Sequence, residues 1–153
     1  MSVSARDVIK LIDDWRPRKC ETEKDFERSL HKHLEKNLEK SDVIKQYAAG
    51  RVKGDIVVDG KILIEIKDSL KSTGQLQRLL GQLEIYATQW KGNVIVVICG
   101  GSQRDLLKLL NNKVESLKPQ PALLDLFPEQ NIFLVVRGAG APREEKERFS
   151  LFG

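Results

Sequence analysis

The stretch GDIVVDGKILIEIK, Gly54 to Lys67, decides the fold. Two β-branched, apolar runs flank Asp59-Gly60, a dipeptide that favours a tight hairpin turn. Residues 51–58 and 61–67 are therefore expected as two antiparallel strands. Alternate side chains of a strand share a face, so Glu65 and Lys67 point one way, about 6.6 Å apart along the strand. Ile62, Ile64 and Ile66 point the other way. Glu65 and Lys67 thus stand where a covered strand would carry apolar residues, which is costly unless they are paired, solvated or metal-bound.

Register decides whether Asp55 joins them. A two-residue loop, Asp59-Gly60, pairs Val58 with Lys61 and puts Asp55 beside Ile64, on the wrong face. A three-residue loop, Val58-Asp59-Gly60, shifts the parity. Asp55 then faces Leu63 and lies diagonal to Glu65, with Cβ atoms roughly 7–8 Å apart or less. A bulge in the first of these strands has the same effect. A catalytic reading requires one of these irregularities.

Around the hairpin, the pattern is helix, helix, three strands, helix, strand, helix, strand. Ser4 caps an expected helix over 4–15, whose apolar stripe includes Val8, Ile9, Leu11, Ile12 and Trp15. Arg16-Pro17-Arg18-Lys19 breaks it, as a solvated linker or a phosphate contact. Thr22 caps a second helix over 23–39, with Phe26, Leu30, Leu34 and Leu38 on its buried stripe. Glu23 falls at the middle of that stripe and Glu27 about 40° to one side. Glu23 can escape burial at the helix end, and Glu27, a turn deeper, has no such escape. His31 and His33 have no partner at metal spacing and are expected at the surface.

Residues 43–49 form a first strand. Ser72 or Thr73 caps a helix over 74–90 whose core face holds Leu76, Leu79, Leu80, Leu83, Tyr86, Ala87 and Trp90. Gly81 inside it is expected to mark close packing against the sheet. Residues 93–99, NVIVVIC, read as a strand covered on both faces. A helix over 103–115 and a strand over 132–136 follow, with Pro119 and Pro121 between them. The tail over 138–153 is glycine-rich, then charged, and its Phe149, Leu151 and Phe152 are candidates to dock on the domain or on a second subunit. The expected fold class is α/β, a mixed sheet of about five strands flanked by helices.

At 153 residues and 41% hydrophobic content, the chain suits one domain with a proper core, residues 1–153. No apolar run reaches the ~20 residues of a membrane helix, and the N-terminus lacks signal-peptide order, so a cytoplasmic protein without a membrane partner is expected. Cys20 and Cys99 are expected as reduced thiols. The net charge of +4 permits a polyanionic partner without requiring one.

The residue types in the hairpin suit phosphodiester hydrolysis. Two carboxylates, Asp55 and Glu65, with the Ile66 carbonyl between them can hold Mg2+ or Mn2+, which lowers the pKa of a bound water and polarises a phosphate. Lys67 can orient that water or stabilise the negative transition state. The plain alternative is a Glu65–Lys67 ion pair on a solvated sheet face.

Gly54-Asp55, ten intervening residues, then Glu65-Ile66-Lys67 resembles the signature of the PD-(D/E)xK nuclease superfamily, with Gly54 in place of its usual proline. The resemblance covers about residues 22–99 and implies a restriction-endonuclease-like core, α-β-β-β-α-β. Gln82 and Tyr86, in QLEIY, resemble the QxxxY motif of the RecB-like and phage-exonuclease branch. They share a helix face, so both could reach the site; otherwise Tyr86 is core and Gln82 a rim residue. Holliday-junction resolvases and Mrr-like enzymes carry a metal-binding glutamate in the first core helix. Glu27 is the best match to that position and Glu23 the second.

The resemblance thus implies a metal-dependent deoxyribonuclease with Asp55, Glu65 and Glu27 around Mg2+ or Mn2+, and with Lys67, Gln82 and Tyr86 in the site. Lys53, Lys71 and Arg78 are candidate phosphate contacts. The partner is DNA, a homodimer follows by family analogy, and a targeting partner would supply the reading head that the sequence lacks. The rival expectations are a nuclease fold kept for binding without turnover, and a structural subunit.

Overall fold

The structure is a computed structural model that describes residues 3–118 and 131–137. Its elements are α1 (Ala5–Asp14), α2 (Glu23–Asn37), β1 (Val43–Ala49), β2 (Val52–Val58), β3 (Ile62–Lys67), α3 (Thr73–Gln89), β4 (Asn93–Ile98), α4 (Arg104–Leu117) and β5 (Ile132–Val136). The connector with Pro119 and Pro121 and the tail from 138 lie outside the described residues.

Three helices start on the same local chemistry. Ser4 with Asp7, Thr22 with Asp25, and Ser72 with Gln75 each form a reciprocal capping box, which satisfies two backbone donors at the helix start. The Asp7 and Asp25 carboxyls are held below the usual range by the backbone N–H groups they accept from.

The five strands form one mixed sheet in the order β1-β2-β3-β4-β5. The β1–β2 and β2–β3 pairs are antiparallel, and β3–β4 and β4–β5 are parallel. The expected α/β class, with a mixed five-stranded sheet flanked by helices, is therefore observed. Each parallel pair needs a crossover, and α3 and α4 supply them.

Both crossover helices pack one face of the sheet, where Leu76, Leu79, Leu83, Leu110 and Val114 meet Leu63, Val94, Val96 and Leu134. The other face takes α1 and α2, through Val8, Ile12, Phe26, Leu30 and Leu34 against Ile56, Ile64, Ile66, Ile95 and Val97. Central strands covered on both sides read as continuous apolar runs, which is the pattern of β3 and β4.

Four local expectations need correction. His31 and His33 are half-buried rather than at the surface. Their Nε2 atoms bond the carbonyls of Val43 at 3.0 Å and Leu11 at 2.7 Å, so α2 is braced against both β1 and α1. Ala87 is exposed, because α3 turns its buried face toward Leu79, Leu83 and Tyr86. Gly81 marks no close packing, since a Cβ there would have nothing within 4 Å.

The hairpin loop is also one residue further along than expected. Val58 pairs with Ile62, so the loop is Asp59-Gly60-Lys61. Asp59 (φ 54°) and Gly60 (φ 64°) both take the left-handed region, and Lys61 N closes the turn on Val58 O at 3.0 Å. Lys61 leaves the ladder because its carbonyl accepts from Asn93 N at 3.0 Å, at the start of β4. Gly92 runs so close that a Cβ there would lie 2.0 Å from that carbonyl oxygen. The odd loop length is retained, and the register Ile56↔Ile64, continued by one residue, sets Asp55 level with Glu65 rather than diagonal to it.

Candidate active site

Asp55 and Gln46 mark the level where the sheet changes character. Along β2, Val52 packs in the α3–α4 cluster, whereas Ile56, four residues on, packs in the α1–α2 cluster. A regular strand would put both on one face. Along β1, Val43 and Tyr47 make the same switch. The paired residues run Lys45↔Ile56 and then Tyr47↔Gly54, so the β1–β2 ribbon rolls over at Gln46 and Asp55 without losing register. The antiparallel β2–β3 pairing also stops at Ile56↔Ile64, one step before Asp55 and Glu65.

The loosened ladder exposes backbone groups, and Asp55 takes one of them. Its Oδ2 accepts from Ile66 N at 2.7 Å. Ile66 itself is buried in the α1–α2 cluster, so this carboxylate satisfies a donor that water cannot reach. Gly54 leaves room for the roll, because its Cα faces Leu63 without a side chain between them.

Glu65 is 3% exposed, on the floor of a cleft of about 350 Å³. Burial and the adjacent Asp55 carboxyl push its pKa up to about 9. The Tyr86 hydroxyl bonds both the Lys53 carbonyl, at 2.6 Å, and Glu65 Oε1. The hydroxyl has one proton to share between these two acceptors, and its bond to Glu65 favours the ionised carboxyl, against burial and Asp55, which favour the neutral one. Burial and Glu65 together push the Tyr86 hydroxyl upward too, so it stays a phenol. The solvated Glu65–Lys67 pair is thereby overturned: Glu65 is not solvated, and Lys67 Nζ pairs with Glu23 Oε1 at 3.6 Å.

Helix α2 brings two carboxylates to the rim, one turn apart. The Glu23 side chain, at the first turn, is half-exposed, and its partial desolvation, offset in part by Lys67, raises its pKa. Glu27, 9% exposed, is also raised by burial and by Asp55, while Gln46 Nε2 donates to its Oε1. Among the described residues, no three His, Cys, Asp or Glu side chains gather closely around one point. Asp55 and Glu65 form the pair, and Glu27, close enough to feel the Asp55 charge, is held by Gln46.

The cleft is lined by Glu23, Lys24, Glu27, Gln46, Tyr47, Ala48, Lys53, Gly54, Asp55, Glu65, Lys67 and Gln82. The fold therefore brings Asp55, Glu65, Lys67, Glu27, Gln82 and Lys53 together from four elements. Tyr86 lies behind Glu65, and Ile66 contributes backbone. Lys71 and Arg78 are exposed outside the cleft lining. Gln82 Oε1 is buried in the wall without a hydrogen-bond partner. Sequence reasoning missed Gln46 and Lys24. Nothing in VIKQYAA announces a backbone reversal at its fourth residue, and Lys24 resembles any solvated helix lysine.

No family model, curated protein or solved structure matches this chain.

Proposed function

We propose that this chain is a metal-dependent nuclease of the PD-(D/E)xK type, hydrolysing DNA phosphodiester bonds, with a restriction-endonuclease-like core. One observation carries the reading: the buried Glu65 carboxyl lies beside Asp55 on the floor of a cleft whose wall also holds Lys67. Burying a carboxyl beside a second one costs the fold stability, and such coupled pairs in clefts cluster at functional sites.

The donor set suits a hard divalent cation such as Mg2+ or Mn2+, since Asp55, Glu65 and the unpartnered Gln82 Oε1 all offer oxygen. A cation bound there supplies phosphate neutralisation and a water of lowered pKa. The protein's own groups do the rest. Ile66 N–H fixes Asp55, and Tyr86 fixes Glu65, which must give up its proton to act as a ligand. Lys67, paired at 3.6 Å with Glu23 at the rim, is a cation available to a phosphate oxygen as negative charge develops. Lys24 from α2 and Lys53 from β2, both lining the cleft, suit the flanking phosphates.

The test is cleavage of plasmid, linear, single-stranded and branched DNA with Mg2+ or Mn2+, by wild type, Asp55→Asn and Lys67→Ala. The reading stands if wild type cuts at least one of these and both variants lose at least 100-fold. If wild type binds DNA but cuts none, the chain is a binding module on the same fold.

A further inference from the structure

Strand β1 leaves strand geometry at one residue. Gln46 has φ 54°, in the left-handed region that a side chain rarely takes. Among the described residues, two other non-glycine positions share this feature, Lys19 in the α1–α2 connector and Asp59 in the hairpin turn. Gln46 is neither, because paired residues flank it on both sides in one register. Strain of this kind persists where the surroundings impose it, and it collects at functional sites.

The unusual backbone aims the side chain. Gln46 lies level with Asp55 in the β1–β2 register, and its Nε2 donates to Glu27 Oε1 across the cleft wall. Glu27 and Glu65 are the buried charged residues of the described chain. Glu65 has Tyr86 to orient it, and Glu27 has Gln46. Lys45 and His31 reach Glu27 through charge alone.

We infer that Gln46 is a positioning residue, which holds the Glu27 carboxylate near Asp55 so that α2 adds a further oxygen ligand, beside those of Asp55, Glu65 and Gln82, for the divalent cation. This rests on the nuclease reading and adds to it a residue outside the Asp-Glu-Lys signature. Groups that orient a metal ligand typically change affinity by about 10–100-fold when removed.

Calorimetric titration of the full chain with Mn2+ alone tests it, together with the thermal midpoint without metal. The variants are Gln46→Ala, Gln46→Gly, Glu27→Gln and the double Gln46→Gly/Glu27→Gln. Glycine removes the donor and relieves the backbone, so Gln46→Gly should keep or raise the midpoint while Mn2+ affinity falls about 10–100-fold. The double variant should bind no more weakly than Glu27→Gln alone. Unchanged Mn2+ affinity in Gln46→Gly and Gln46→Ala overturns the positioning role and leaves the nuclease reading intact. A lower midpoint in Gln46→Gly also overturns it, in favour of a purely structural bond. Absence of Mn2+ binding by wild type removes the nuclease reading and this inference together.

Discussion

Gly54 and Leu63 compete for one space: a Cβ at Gly54 would fall 2.8 Å from Leu63 Cγ. Non-bonded carbons sit at about 3.5–4.0 Å, so any side chain before Asp55, proline included, must displace Leu63. Gly54→Ala should therefore cost about 1–3 kcal/mol. In urea denaturation, its effect and that of Leu63→Ala should combine to less than their sum by roughly 1 kcal/mol or more. Simple additivity would show that the contact is not the cause.

Glu65 should weaken the metal-free fold as pH rises. Its carboxyl has an ordinary value of 4.5 when unfolded and about 9 when folded. A raised folded value means no penalty below the unfolded pKa, and a growing loss of stability between these two values, about 1.4 kcal/mol per pH unit. Glu65→Gln should thus be more stable than wild type by roughly 3 kcal/mol at pH 7, with the two converging near pH 4. Denaturant melts across this range decide it. A difference independent of pH would refute the assignment.

Gly81 interrupts α3, a helix of 17 residues, with open space where its Cβ would be. Gly81→Ala should raise stability by about 1 kcal/mol. Gly81 does not line the cleft, so cleavage should be unchanged. Loss of cleavage with a stable fold would show that nucleic acid runs over this part of the helix.

Arg137 follows β5 and caps the end of α1. Its guanidinium donates to the carbonyls of Ile12, of Asp13 at 2.6 Å and of Trp15 at 2.5 Å. Burial holds its pKa below the usual arginine value. Arg137→Ala should cost about 2 kcal/mol, and Arg137→Lys should recover little, because one ammonium cannot span three carbonyls as a planar fork does. Hydrogen exchange should rise first at the α1 terminus.

The elements were legible because their signals are local. Three cap residues, Ser4, Thr22 and Ser72, stand where S/T-x-x-acid/amide patterns put them, and the β-branched runs of β3 and β4 could only be covered strands. The convergence of Asp55 and Glu65 was legible as a condition on parity. Its realisation was not, because the loop position depends on the Lys61 carbonyl being drawn to Asn93, thirty-odd residues away in sequence. The roll of the ribbon at Gln46, the Glu23–Lys67 pair and the bracing histidines arise from long-range packing of the same kind.

The hydrogen bond from Ile66 N to Asp55 Oδ2 gives the two acids different histories under neutral drift. A lineage that lost turnover would still be held near Asp55 by architecture, because a side chain without an acceptor strands a buried amide. Glu65 has no such protection, since glutamine there would keep the shape and spare the fold a carboxyl titrating near 9. On the nuclease reading, glutamate at 65, more than aspartate at 55, is the residue that the fold alone does not call for.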